Sequence, residues 1–318
     1  MKKGLIALAA LVALVCTSCK NSKTLTIGSI IYDANNEWFV EAIAGMQGAA
    51  KDNNCTLVLQ DSHYDANVEK DMIREQLKNK ANAIVICPLS TDETGRALAE
   101  AASFQIPVVT WNTVVEPAPT TQVVVDATEL GRATGEYLVD YMREHDIASL
   151  KAALITDRSF SIGIERCDGF RNAIQPLVDD GKIEILYDTP GQLAEQIKVN
   201  VKKILAERPD IQFIWCWHQM SLIATIDVLK ELGRTDILVA GTDMSVGLAR
   251  DMLGSEVQLI AVTTQLPYEL GYQAVANAVK AAHGEKTPAS ISIPTYTYIK
   301  EDVAALKEYV STHEKFLK

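Results

Sequence analysis

Side chains of a restricted kind follow several of the short apolar runs in this chain. Tyr32, Asn36, Trp38 and Phe39 come after the run that ends at Ile31. Asn112 and Thr113 follow Pro107–Trp111, and Arg166 lies early in a helical pattern that opens at Ile164. His218 and Gln219 follow Phe213–Trp217, Asp243 ends the run from Val239, and Gln265 follows Gln258–Thr263. The inventory is amides, aromatic rings, a guanidinium and a carboxylate. That mixture suits a polyhydroxylated molecule. Each hydroxyl is one donor and two acceptor sites, so it can bridge a carboxylate or amide oxygen and an Arg or amide N–H. Charge-assisted bonds of this kind are the stronger ones. The C–H faces of a sugar ring pack on aromatic rings, and Trp38 and Phe39 are placed to supply that platform.

Each residue also has a plainer reading. Asn35-Asn36 is a turn with helix capping, and Asp243 after a strand is a cap or an Asx-turn. Trp38 and Phe39 are core residues, Arg166 is a salt-bridged helix residue, and His218 is structural. The argument for a site rests on their shared placement at strand exits. In open α/β sheets that is where ligands bind.

Other chemistry lacks its residues. No GxGxxG or GxxxxGK[ST] run follows any strand candidate, and there is no GxSxG turn. His63, His145, His218, His283 and His313 are scattered, so no zinc site and no cofactor is expected. Asp243 and His218 could be cast as acid and base, but no nucleophile or metal motif accompanies them. The net charge of −11 argues against a nucleic-acid partner, whose phosphates need Lys and Arg.

The elements that would hold these residues follow a βαβα rhythm. Strand candidates are Leu25–Ile31, Thr56–Gln60, Ala83–Cys87 and Pro107–Trp111, with helical patterns at Trp38–Asn53, Val68–Lys78 and Thr94–Ser103. A second series starts after Gln122–Val125. Its helices are Leu130–Arg143, Ile164–Val178, Ala194–Glu207 and Leu222–Leu232. Its strands are Ala152–Thr156, Glu184–Tyr187, Phe213–Trp217, Leu238–Gly241 and Gln258–Thr263. A helix at Tyr268–His283, a strand at Thr295–Ile299 and a helix near Val303–His313 complete the chain. The expected fold class is α/β, with two doubly wound parallel-sheet lobes; 318 residues suffice for about two domains.

The N-terminus has its own logic. Met1-Lys2-Lys3 is basic, and Leu5–Val15 is an apolar run too short for the ~20 residues that span a bilayer. This reads as a secretory signal. Leu14-Val15-Cys16-Thr17-Ser18-Cys19 resembles a bacterial lipobox, so Cys19 is the expected lipidation site and first mature residue, and 20–23 a tether. The alternative is a plain signal peptide cleaved near Ser18. Cys55, Cys87, Cys167 and Cys216 stand singly and are expected as isolated, mostly buried thiols.

The stretches Asn35–Phe39, Ile106–Thr110, Arg166–Phe170, Gly241–Asp243 and Gln265–Pro267, in this order, resemble the periplasmic sugar-binding proteins of the ribose/galactose-binding family. That family shares its type I fold with the ligand domains of lactose-repressor-type regulators. The resemblance covers nearly all of residues 24–300. It implies a first lobe of 24–125 plus 265–294 and a second of 126–264 plus 295–318, joined by a multi-crossover hinge. Crossings would fall near Val125, Thr264 and Pro294. Tyr32, Asn36, Trp38, Phe39, Asn112 and Thr113 would line the pocket from the first lobe. Arg166, Gln192 (or Leu193), His218 and Asp243 would come from the second, with Gln265 at a crossing.

The resemblance also implies a monomer on the periplasmic side of a bacterial membrane, held by its lipid anchor. Its ligand would be a monosaccharide or polyol, and its partner an ABC permease, with a sensor kinase or chemoreceptor as the alternative. Ribose-binding members carry an Asp-Arg pair where this chain has Asn112-Thr113, and galactose-binding members an Asn at the first position. His218-Gln219 replaces the usual Asn-Asp. A hexopyranose, a deoxy sugar, an inositol-like polyol and a furanosyl signal molecule therefore stay open. A regulator would need a DNA-binding segment where the export signal stands.

Overall fold

The computed structural model describes residues 24–159 and 161–317. The chain lays down β1 (Thr26–Ile31), α1 (Glu37–Asp52), β2 (Thr56–Asp61), α2 (Ala66–Lys78), β3 (Ala83–Ile86), α3 (Thr91–Ser103), β4 (Val108–Trp111) and β5 (Thr121–Val124). It continues with α4 (Ala127–Glu144), β6 (Leu150–Thr156), α5 (Ser161–Asp179), β7 (Ile183–Pro190), α6 (Ala194–Glu207), β8 (Phe213–Cys216), α7 (Gln219–Leu232), β9 (Leu238–Thr242), α8 (Val246–Leu253) and β10 (Gln258–Thr264). It ends with α9 (Pro267–Ala282), β11 (Ser290–Ser292), β12 (Tyr296–Ile299) and α10 (Val303–His313).

Two sheets result, ordered β11-β5-β4-β3-β1-β2 and β12-β10-β9-β8-β6-β7. The second repeats the first strand for strand: β6 stands for β1, β8 for β3 and β9 for β4. Both are doubly wound, with the order reversing beside the first strand of each series, which opens a crevice at the strand ends there. The central strands read as continuous apolar runs because helices cover both faces, and β3, β4 and β8 are buried throughout. One departure from the parallel expectation is β12, which pairs antiparallel to β10. It arrives from β11 in the other sheet, a distance of a few residues that leaves no room for a crossover helix.

Several helices begin two or three residues earlier than their apolar periodicity indicates. Asp65 caps α2 by accepting the N–H groups of Asn67 and Val68, and Asp126 caps α4 by accepting that of Glu129. A cap placed ahead of the first apolar residue extends the helix upstream. Two elements, α8 and β11, escaped the reading altogether.

In each lobe two helices approach to backbone contact across reciprocal glycines. A Cβ on Gly45 would lie 1.9 Å from the Tyr268 carbonyl oxygen, and one on Gly271 2.0 Å from that of Ala42. In the second lobe a Cβ on Gly131 would lie 1.9 Å from the Arg166 carbonyl oxygen, and one on Gly169 2.0 Å from that of Thr128. The pairs α1–α9 and α4–α5 are thereby locked, and α1 and α5 are helices that carry expected site residues.

Candidate functional site

Between the sheets, at the strand exits, lies a cleft of about 530 Å³. Tyr32, Asn36, Trp38 and Asn112 line it from the first lobe, and Arg166, Gln192, His218 and Asp243 from the second, with Gln265 at a crossing. Two expected residues stand elsewhere. Phe39 is only 3% exposed and packs beneath the cleft, its ring edge-on to Tyr32, Trp38 and Trp111. Successive helix residues point about 100° apart, so Trp38 and Phe39 cannot both face one cleft. Thr113 lines a smaller crevice of about 150 Å³ next door, which shares Asn112, Arg166 and Gln265. The cleft also takes Tyr64 and Trp217, which sequence reasoning missed.

On the first-lobe wall, Trp38 stacks on the buried Trp111 at 5.6 Å and 15°. Tyr32 and Tyr64 meet at 5.0 Å, and the Tyr64 hydroxyl donates to Asp33 Oδ2 at 3.1 Å. Burial and nearby Cys87 push the Tyr32 phenol well above its ordinary value, so it stays neutral. Asn36 both caps α1, accepting the Trp38 N–H at 2.9 Å, and lines the cleft. The capping and site readings are thus both true of it.

The second-lobe wall centres on Arg166, 3% exposed. Its Nη1 donates to Asp243 Oδ2 at 2.7 Å, to the Trp217 carbonyl at 2.9 Å and to Thr242 Oγ1 at 3.0 Å. Gln265 Nε2 donates to the other Asp243 oxygen at 3.1 Å. Trp217 Nε1 donates to the Gly191 carbonyl at 2.9 Å, and its ring stacks on His218 at 4.0 Å. Burial, helped by the Arg166 charge, holds the His218 imidazole down to about 3, so it is neutral. Its Nδ1 accepts the Ser221 N–H and caps α7, so His218 too is at once cap and wall. Gln192 Nε2 donates to Ser159 Oγ, whose hydroxyl donates to Asp157.

Asn112 and Asp243 occupy equivalent places after β4 and β9, and both adopt left-handed backbone, φ 64° and 69°. Asn and Asp tolerate that region best among non-glycine residues. Their types were therefore doubly constrained, by backbone and by site.

The charges of the cleft are internally matched. Arg166 pairs with Asp243, and Lys198 with Asp227 at 2.9 Å. Meanwhile Trp38 Nε1, Arg166 Nε and Gln265 Oε1 are buried without a protein partner. These residues belong to a lining that mixes aromatic and apolar side chains with the amides of Asn36, Asn112, Gln192 and Gln219. Among the described residues no group of three or more His, Cys, Asp or Glu side chains gathers as a metal site.

Comparison with known proteins places this architecture. The model of the periplasmic binding protein domain matches residues 27–286. The chain belongs to that family. Among curated members of the periplasmic binding protein family, the ribose import binding protein RbsB of Escherichia coli (strain K12) is 25% identical over 303 residues, covering 94% of this chain and 99% of that one. The xylitol-binding protein of Mycolicibacterium smegmatis is 27% identical over 331 residues, covering 99% and 91%. A solved structure of an ABC transporter periplasmic solute binding protein from Actinobacillus succinogenes with bound D-allose superposes with TM-score 0.79 at 17% identity, covering 89% of this chain and all of that one. The family and the two-lobed fold expected from the sequence are those found. Cys19 lies outside the described residues.

Proposed function

We propose that this chain is an extracytoplasmic solute-binding protein that closes its two lobes on one neutral sugar or polyol and presents it to an ABC permease. The observation that carries this reading is the electrically matched cleft whose two walls offer aromatic rings and amide side chains. The charges of the cleft are already paired, so a charged ligand would meet no unmatched counter-charge there. A neutral polyol instead finds amides on both walls, at Asn36, Asn112, Gln192 and Gln265, whose oxygens and N–H groups match its hydroxyls. The cleft volume falls in the ~300–1,000 Å³ range of small-molecule sites.

The curated relatives' names, for ribose and xylitol, support the same ligand class. Asn112-Thr113, in place of an Asp-Arg pair, points away from ribose itself. Binding requires no covalent step: ligand contacts shift the lobes toward the closed arrangement. No helix among the described residues is long and apolar enough to cross a membrane. Attachment is assigned to acylation of Cys19.

The deciding experiment is a thermal-shift screen of purified protein against neutral monosaccharides and polyols. A ligand that binds only the folded state raises the melting temperature with its saturation. Selective upward shifts for one or a few members are expected. A flat response across the whole panel at millimolar concentration would remove this reading.

A further inference from the structure

The lobes are joined by more than their crossing segments. Helix α1 of the first lobe carries Glu37 and Glu41 one turn apart, hence on one face. Glu37 Oε1 accepts the N–H of Val246 at 2.7 Å. Val246 opens α8 in the second lobe, where the free N–H groups and positive dipole end of a helix favour a carboxylate. One turn along α1, Glu41 accepts the Tyr309 hydroxyl at 3.2 Å and pairs with His313 Nε2 at 3.1 Å. Both partners belong to α10, which packs on α8. A seam therefore runs along α1, with the second lobe on its other side.

The two carboxylates sit differently. Asn36 and Trp38, on either side of Glu37, line the cleft, and Asp243 precedes Val246 by three residues. The Glu37–Val246 bond thus ties the segment bearing the first-lobe wall to the segment bearing the second-lobe acid. Glu41 and His313 instead share a hollow with Leu266 and Pro294, beside two of the crossing segments. Opening the cleft must separate Glu37 from Val246, while Glu41 stays near the pivot.

We propose that Glu37 is a positioning residue: a clasp between the lobes that holds the cleft walls at binding distance without touching ligand. Its bond exists only when the walls are close, so it adds to the closed arrangement's share of the population. Apparent affinity scales with that share. The proposal rests on the cleft being the ligand site, although the lobe motion it describes does not.

The test uses spin labels on exposed positions of each lobe, with the interlobe distance distribution measured without ligand, and calorimetry with the polyol that gives the largest thermal shift. Glu37→Ala should broaden and lengthen the distribution and weaken binding roughly tenfold, as expected for one lost charge-assisted bond. Glu37→Gln, which keeps an acceptor, should restore most of both. Val246→Pro removes only the donor: proline is tolerated at the first helical position, and Ser245 before it is already extended at φ −145°, ψ 165°. It should mimic Glu37→Ala, and the double variant should add nothing further. Folded Glu37→Ala and Val246→Pro proteins whose distance distributions match the parent would overturn the clasp. A parent that binds no polyol would overturn the ligand reading alone, because the distance measurement needs no ligand.

Discussion

Arg166 and Asp243 face each other at 2.7 Å, and each keeps a second commitment: Arg166 to the Trp217 carbonyl, Asp243 to the Gln265 amide. The ion pair is therefore the middle of a chain that runs from β8 through β9 to the crossing at Gln265. Breaking one member of such a buried pair leaves the other desolvated and uncompensated. Arg166→Ala and Asp243→Ala should each weaken ligand binding by roughly 2–5 kcal/mol in calorimetry. Arg166→Ala should also lower the melting temperature, since three buried hydrogen bonds are lost and Asp243 loses its counter-charge. Two folded variants with parental affinity would remove this pair from the site.

The chain's tryptophans divide cleanly. Trp38 and Trp217 line the cleft, whereas Trp111 and Trp215 are fully buried. Ligand should change intrinsic fluorescence through the first two only. Trp38→Phe and Trp217→Phe should each reduce the change, and Trp215→Phe should leave its amplitude intact. A response that survives the Trp38→Phe/Trp217→Phe double variant would place the ligand elsewhere.

His218 gives a pH prediction with a definite sign. Its folded value lies at about 3 against an ordinary 6.5. Below about 6.5 the unfolded chain binds a proton that the folded chain refuses. Its contribution therefore lowers stability as pH falls from 6.5 toward 3, by about 1.4 kcal/mol per pH unit at most. His218→Asn, which retains a capping acceptor, should show a shallower loss of melting temperature between pH 6 and 4 than the parent. Parallel curves would mean that His218 charges freely in the folded protein.

Acylation at Cys19 is tested in cells of a lipoprotein-processing host. Cys19→Ser should move the protein from the detergent phase to the soluble extracytoplasmic fraction. Retention in the detergent phase would exclude that residue as the anchor.

Much of the fold was legible because buried parallel strands announce themselves as apolar runs and their helices by periodicity. The site was legible to the extent that strand exits converge, which is why Asn36, Trp38, Asn112, Arg166, Asp243 and Gln265 meet in one cleft. What escaped did so for local reasons. Trp217 read as the last residue of a strand, but β8 stops at Cys216 and releases the ring into the cleft. Tyr64 sits in a turn with φ 61°, where no periodicity marks its direction. Phe39 went to the core because its neighbour took the cleft-facing position. α8 is only eight residues long, too short for a convincing repeat, yet its first N–H makes the contact with Glu37.

The glycine locks at Gly45–Gly271 and Gly131–Gly169 bear on selectivity. With α1 bolted to α9 and α5 to α4, neither Trp38 nor Arg166 can retreat on its own helix to accommodate a misshapen guest. The lobes act as stiff lever arms, and an oversized or wrongly epimerised ring must hold the whole jaw ajar. Discrimination would then be read out as an angle, which is the quantity a membrane partner can sense from outside without ever inspecting the cargo.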